Sequence, residues 1–490
     1  MKTAAVVDLG FNSLKLVNYR IDDGGNYESF EQYSTLAQIG DGLDETGRIK
    51  EKRIETTLDE LKAFRAVVKM HGIDAVLPVA TSAVREAENG SHLLARIRRE
   101  TGFNFRILSE RDEGALSFLG AASSLELRNC LFFDLGGGSL ELVSSSRGKL
   151  GRITSLPLGS LRISQRYSKK EIGVIPAGSY SKMEKHVMST LEDSMLDIGP
   201  GSVLVGVGGT LRAIARYRQR ITEYPVNKLH NFELGRRDVG SALNTLSALS
   251  PEQLGRFEAF RGERSRTVYA GSCIIASIMD TYGFKRLTVS THGLRDGVLI
   301  DWLHRSDGAK KAEARVSSLL DLRHETLPPT ADRLARYMVG MGHLDEREAR
   351  ILPSAVTELI RRGETLRPES LFYAILYEDS YLSHRDQLVL ALSIIYRKRP
   401  RIANWLCDEY GRMLGNKDTR SMKRLGALLE LLEVVMRSEG KVVLRRRKGG
   451  IAITATGRDR RIWSEMLDGP VKRACDVLGT TITVAAEEAG

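Results

Sequence analysis

Two apolar runs in the chain each lead into Asp-Leu-Gly: Ala4-Ala5-Val6-Val7-Asp8-Leu9-Gly10-Phe11-Asn12-Ser13 and Leu131-Phe132-Phe133-Asp134-Leu135-Gly136-Gly137-Gly138-Ser139. A buried strand that ends in a carboxylate can hold a hard cation such as Mg2+, and the glycines behind it let backbone N–H groups come close to phosphate oxygens. Two phosphate-handling turns in one chain point to phosphoryl-transfer chemistry. A third strand and turn at 203–210, with Gly206, Gly208, Gly209 and Thr210, runs into a helical pattern at 211–216.

The elements that must position these turns are written in the hydrophobic periodicity. Residues 13–20 alternate as the second strand of a hairpin reversed around Gly10 and Asn12. Residues 51–70 place Ile54, Leu58, Leu61, Phe64, Val67 and Val68 at helical spacing, and 75–80 reads as a buried strand ending at Thr81-Ser82. A helix from about Ala83 would present its N–H groups to an anion. A helix at 92–100 and a strand at 105–108 lead to Ser109-Glu110-Arg111-Asp112-Glu113-Gly114, an acidic segment that opens a helix at 115–123. Strands and helices go on alternating as far as a strand at 286–290, so residues 1–302 are expected to be α/β. The strand-Asp-Gly signal recurs after 126 residues, from Asp8 to Asp134, which predicts two related lobes with a cleft between them.

Beyond residue 302 the character changes. A polar run at 304–311 reads as a linker, and 312–436 is mostly helical, with three-and-four spacing clearest at 366–397 and 421–435. The end is mixed, with strands at 441–444 and 450–455 as a hairpin across a basic turn, a helix at 461–478 and a strand at 480–485.

At 490 residues the chain should hold about three or four domains. The apolar run before Asp8 is too short for a secretory signal, and no stretch has the length of a membrane span. Cys130, Cys273, Cys407 and Cys475 are far apart without a CxxC pair, which predicts reduced thiols and a cytoplasmic location. The nine histidines are equally scattered and suggest no zinc centre. The net charge of +11 is uneven: residues 1–302 hold 40 Lys and Arg against 36 Asp and Glu, and residues 303–490 hold 33 against 26. The surplus gathers in Arg397-Lys398-Arg399-Pro400-Arg401 and Arg445-Arg446-Arg447-Lys448, which would attract a polyanion unless they are only a solvated face.

The three glycine turns, the segment at 109–114 and the ending Ser290-Thr291-His292-Gly293-Leu294-Arg295-Asp296-Gly297-Val298-Leu299 together resemble the exopolyphosphatase and guanosine pentaphosphate phosphohydrolase family. The resemblance implies an α/β fold of two actin-like (ribonuclease H-like) lobes around a cleft, at 1–122 and 123–302, with the last helix of the second packing back on the first. It also implies an α-helical HD-like domain at 303–436 and a small basic α+β domain at 437–490. Metal-bearing HD domains need closely spaced His and Asp ligands. The Arg367-Pro368-Glu369-Ser370 run lacks them, so no second metal site is expected, and His384-Arg385-Asp386 reads as a helix start.

The same resemblance implies roles. Members are Mg2+-dependent hydrolases that remove a terminal phosphate from a phosphoanhydride, and the catalytic glutamate falls on Glu113. Metal binding falls on Asp134, with Asp8 and Glu141 acting through waters. Terminal-phosphate binding falls on Arg85 and on the turns containing Asn12, Ser13, Gly136, Gly137, Gly138 and Ser139. Thr81 and Ser82 belong to a Thr-X-X-X-Arg element with Arg85, and Gly208, Gly209 and Thr210 lie where nucleotide-using relatives contact adenosine. K+ is a candidate activating ion. Phe11, Glu110 and Gly114 depart from the family's usual Ser, Gly and Ala. The plainer alternatives are turn formation for Asp8 and Asp134, helix capping for Glu113, and a surface helix residue for Arg85.

The expected function is an exopolyphosphatase that releases orthophosphate from inorganic polyphosphate, with hydrolysis of pppGpp to ppGpp as the alternative substrate. A sugar kinase or a peptide-binding ATPase of the same superfold is disfavoured by the Glu113 motif and the Gly-Leu-Arg-Asp-Gly ending. The three departures raise a further alternative, a non-catalytic polyphosphate-binding regulator. The C-terminal region is expected to guide polyphosphate through Arg397, Lys398, Arg399, Arg445, Arg446, Arg447 and Lys448 and to support a homodimer, with no membrane and no specific nucleic acid as partner.

Overall fold

The computed structural model describes residues 1–168, 174–262, 264–305, 327–362, 366–438, 440–447 and 449–486. The chain divides into two units, Met1–Leu322 and Arg323–Gly490.

The first unit is built on two sheets of one topology. In the first, β1 (Lys2–Leu9), β2 (Leu14–Ile21), β3 (Tyr27–Thr35), β4 (Ala75–Ala80) and β5 (Arg106–Ile107) are ordered β3-β2-β1-β4-β5. In the second, β6 (Cys130–Leu135), β7 (Leu140–Ser146), β8 (Lys149–Leu156), β9 (Val203–Gly208), β10 (Phe232–Gly235) and β11 (Arg286–Val289) are ordered β8-β7-β6-β9-β11-β10. Each sheet has an antiparallel three-strand meander whose first strand then pairs in parallel with the fourth. That first strand is central, and its apolar run is buried on both faces, as continuous Val, Ala, Leu and Phe require. The edge strand β3 has no hydrophobic alternation and is mostly exposed, which is why periodicity does not reveal it.

The two sheets are joined by helices that exchange places. The helix Glu110–Ala122 follows β5 but packs on β6 and β8, where Ala115, Phe118, Leu119 and Ala122 meet Phe132, Val143 and Ile153. The helix Leu294–Leu303 follows β11 but sends Val298 and Leu299 into the core under Ala4, Val6 and Val79 of the first sheet. The two helices cross backbone to backbone. A Cβ at position 120 would overlap the carbonyl of Gly293, and one at 297 would overlap that of Leu116, so only glycine fits either place.

In the second unit the helices Pro329–Gly340, Glu346–Arg362, Pro368–Tyr377, His384–Lys398, Pro400–Glu409 and Asn416–Arg437 precede a sheet of β12 (Val442–Arg447), β13 (Gly450–Ala455) and β14 (Thr481–Ala486). The helical pattern read at 366–397 is two helices, because Ser383 caps a new start by accepting from Asp386 N. Arg445, Arg446 and Arg447 are strand residues rather than a turn, with Arg447 paired to Gly450. Asp386 and Asp418, at the starts of two of these helices, are bound by Arg347, Arg350 and Arg385. No helix among the described residues is long and apolar enough to cross a membrane.

Candidate active site

The hairpin turns after β1 and β6 are copies of each other. Gly10 N donates to Ser13 O at 3.0 Å, and Gly136 N donates to Ser139 O at 3.0 Å. Asp8 faces Lys15 across the first hairpin, and Asp134 faces Glu141 across the second. The turns also touch, since a Cβ on Gly137 would stand 3.0 Å from Asn12 Cβ and 3.4 Å from Asn12 N. Sequence-distant Asn12 and Gly137 are thus adjacent, and both strand-end carboxylates open on one cleft. The buried Oδ1 of Asn12 has no hydrogen-bond partner.

Glu113 enters the same cleft from the first turn of its helix, where Ser109, and not Glu113, is the cap, with Ser109 Oγ accepting from Asp112 N. Glu113 is 7% exposed, and its Oε2 accepts from Arg85 Nη1 at 3.0 Å. Arg85, on the five-residue helix Ser82–Glu86, also donates through Nη1 to Leu108 O at 2.8 Å. Its buried Nη2 has no hydrogen-bond partner. Neither plainer reading of these two residues holds, because Arg85 is not on the surface and Glu113 does not cap.

The electrostatics are those of several carboxylates crowded out of water. Burial, and then the charge of Glu141, pushes Glu113 well above the usual carboxylate range despite the opposing pull of Arg85. Burial and then Asp134 push Glu141 up to about 7, although Ser155 Oγ donates to its Oε1 at 3.0 Å. Asp134 is also raised, by burial first, against the short hydrogen bond it accepts from Ser117 Oγ at 2.7 Å. Asp8 has Arg295 Nη1 at 3.7 Å. Hard carboxylate oxygens that repel one another beside an unpartnered amide oxygen are a donor set suited to a divalent cation of the Mg2+ type.

Cations complete the cleft, and the sequence motifs assign them no role. Lys15 is pulled down to about 8 by burial and by Arg295, and Arg212 down to about 10 by burial and by Arg295 and Arg264. Neither has an ion-pair partner among the described residues. Lys15 could have been found as the counterpart of Glu141 in the repeated Asp-Leu-Gly-X-X-Ser-Leu hairpin. Arg212 is the fourth residue of the helix Gly209–Ile221, which starts at the third glycine turn. Thr81, Ser82, Ser139 and Thr210 are buried around the cleft, and Gly208 holds a φ of 133° against Leu135 O.

Of the three sequence departures, Phe11 packs against the second glycine turn, Gly114 lies beside Glu141 and Glu110 points to solvent. Phe11 is buried with its ring against Gly40 and Gly138, and the Arg162 guanidinium sits 5.0 Å from the ring centroid. Glu110 is exposed on the first helical turn. Gly114 faces Ile153, whose Cγ2 would stand 2.7 Å from a Cβ there.

The basic residues expected to guide a polyanion do not behave alike. Arg399, Arg445, Arg446 and Arg447 are exposed and Lys398 pairs with Glu433 at 3.3 Å, but Arg397 is 5% exposed and ion-paired with Glu433. A phosphate chain could reach Arg397 only by breaking that pair, so it leaves the guiding set. Lys448 lies outside the described residues.

A family model described as the Ppx/GppA phosphatase family matches residues 19–306. The chain is 25% identical over 314 residues to the bifunctional 3-dehydroquinate synthase/phosphatase of Fusobacterium nucleatum, covering 61% of this chain and only 46% of that protein. It is 23% identical over 320 residues to exopolyphosphatase 1 of Mycobacterium tuberculosis, covering 63% of this chain and 91% of the relative. Among solved structures, the Ppx/GppA family member of Aquifex aeolicus is matched at 26% identity and a TM-score of 0.54 over 63% of this chain and 99% of that one. An exopolyphosphatase from Cytophaga hutchinsonii shares the fold at a TM-score of 0.57 and 22% identity, over 62% of this chain and 98% of that one.

Proposed function

The chain belongs to the Ppx/GppA phosphatase family, and on that footing we propose that it is an exopolyphosphatase, releasing terminal orthophosphate from inorganic polyphosphate in a Mg2+-dependent hydrolysis. The observation that carries the reading is the buried Glu113, held by Arg85 and close enough to Glu141 and Asp134 for their charges to raise it.

Hydrolysis of a phosphoanhydride needs a positioned water, neutralised phosphate oxygens and room for in-line departure. Glu113 orients the water and takes its proton, and its raised pKa makes it a stronger base than an exposed glutamate. Arg85 holds that carboxylate through Nη1 and offers Nη2 to the terminal phosphate. Asp134 with Asp8 and Glu141 would hold Mg2+, which would neutralise charge on the scissile phosphates when bound. The turns at 10–13 and 136–139 cradle the same group, and Lys15, Arg295 and Arg212 offer charge to the phosphates behind it.

Glu110 is exposed, and beside Phe11 and Gly114 the buried Glu113 keeps its hydrogen bond to Arg85, so the departures do not favour a non-catalytic binder over a hydrolase. The cations Lys15, Arg212 and Arg295 suit a chain of phosphates, which supports polyphosphate as the first substrate and pppGpp as the second. The exposed basic residues of the second unit as a polyphosphate guide, a homodimer, a cytoplasmic location and K+ as an activating ion belong to the same proposal. Phosphate release from long-chain polyphosphate and from pppGpp, each with Mg2+, tests it. Faster release from polyphosphate is expected, and a larger kcat/KM for pppGpp would exchange the two substrates.

A further inference from the structure

Ser117 is fully buried on the Glu113 helix, one turn beyond Glu113, and its hydroxyl donates to Asp134 Oδ2 at 2.7 Å. No other hydrogen bond from a side chain to the Asp134 carboxylate occurs among the described residues. We propose that Ser117 is a positioning residue, which couples the water-orienting helix to the metal carboxylate by fixing the Asp134 side chain.

The argument rests on three contacts of one helix. At Gly114 the helix lies against Ile153 of β8, at Ser117 it is tied to the end of β6, and at Gly120 it meets the Gly293 backbone. Gly114 and Gly120 fix the height of the helix over the second sheet by contact alone, without reference to the carboxylate. The Ser117 hydroxyl is the one link of the three that is directional and ends on a proposed ligand. With Oδ2 engaged by the hydroxyl proton, rotation of the carboxylate is restrained, and Oδ1 accepts no side-chain hydrogen bond among the described residues. A serine here also offsets part of the cost of burying the Asp134 charge, since a donor to the ionised form stabilises it. Hydrogen bonds that orient a carboxylate ligand from behind typically contribute about 10–100-fold in metal affinity or activity.

The inference depends on the metal reading of Asp134, and its test separates the two. Mn2+ serves as the probe, with binding to the full-length protein followed by electron paramagnetic resonance for wild type, Ser117→Ala, Ser117→Cys and Ser117→Thr. Wild type should bind Mn2+, the Ala and Cys variants about 10-fold more weakly, and Thr, which keeps the hydroxyl, close to wild type. In phosphate release, Ala and Cys should raise the Mg2+ needed for half-maximal rate and lower kcat while KM for polyphosphate stays unchanged. Cys is nearly isosteric, so it keeps the comparison valid if the Ala variant does not fold. Wild-type Mn2+ affinity in folded Ala or Cys variants would overturn the role of Ser117 and leave the metal reading standing. No Mn2+ binding by wild type would overturn both.

Discussion

Arg85 donates to Glu113 Oε2 at 3.0 Å through one terminal nitrogen and keeps the other buried and without a partner. An arginine that only neutralised a buried glutamate would be expected to spend both nitrogens on it. The open Nη2 beside a carboxylate with a raised pKa is a donor free for the phosphate proposed above.

Arg85→Lys keeps the charge but loses the fork that serves Glu113 and a phosphate oxygen at once. It should lower kcat on polyphosphate by about 100-fold, the scale of removing one well-placed donor from a developing oxyanion. Steady-state phosphate release decides this, and a variant within a few-fold of wild type would return Arg85 to a structural role.

The raised carboxylates give the activity an acid limb. Glu113 accepts a proton from water only when ionised, and Glu141 is neutral below about 7. kcat/KM should therefore rise with pH, by about tenfold per unit below the inflection. Stability without Mg2+ should run the other way. The folded state binds more protons than the unfolded chain between the ordinary 4.5 and about 7 for Glu141, so stability falls as pH rises through that window. The loss is at most about 1.4 kcal/mol per pH unit for each group. Urea melts with and without Mg2+ check this, and Mg2+ should offset the loss at neutral pH.

Gly114→Ala restores the residue usual in the family but brings a Cβ to 2.7 Å from Ile153 Cγ2. Overpacking of that kind costs about 1–3 kcal/mol, and it displaces the turn that carries Glu113. A lower melting temperature and a lower kcat are expected, with both recovered in Gly114→Ala combined with Ile153→Ala. Additive losses in the double variant would show that the two positions do not couple.

How much of this could be read from the chain alone differs by kind of residue. Asp8, Asp134 and their turns are legible because a strand, a carboxylate and glycines stand together in sequence, twice. Glu113 is legible through its motif. Lys15 is legible only by aligning the two hairpins, where it stands opposite Glu141, and Arg212 and Ser117 acquire meaning only from what the fold sets against them. An isolated arginine or serine in a helix looks like any other. The same limit misplaced Arg397, whose burial against Glu433 depends on the packing of the helices His384–Lys398 and Asn416–Arg437. It also turned Arg445, Arg446 and Arg447 into a loop, because charged residues on an exposed edge strand carry no apolar alternation.

Those arginines separate two roles. Replacing Arg445, Arg446 and Arg447 by Ala should weaken long-chain polyphosphate far more than triphosphate, and more so at low salt, as expected when cations release counterions from a polyanion. Arg397→Ala should instead lower the melting temperature and leave the chain-length dependence unchanged. Equal losses for long and short substrates in the triple variant would remove the guiding role.

The most direct measurement is Mg2+-dependent phosphate release from long-chain polyphosphate by wild type and Glu113→Gln, which keeps the size of the side chain and its hydrogen bond to Arg85 but cannot take a proton. Rapid release by wild type that falls by about 100-fold or more in the variant, with KM little changed, is the predicted result. Equal rates for the two proteins, or no release by wild type at all, would contradict it.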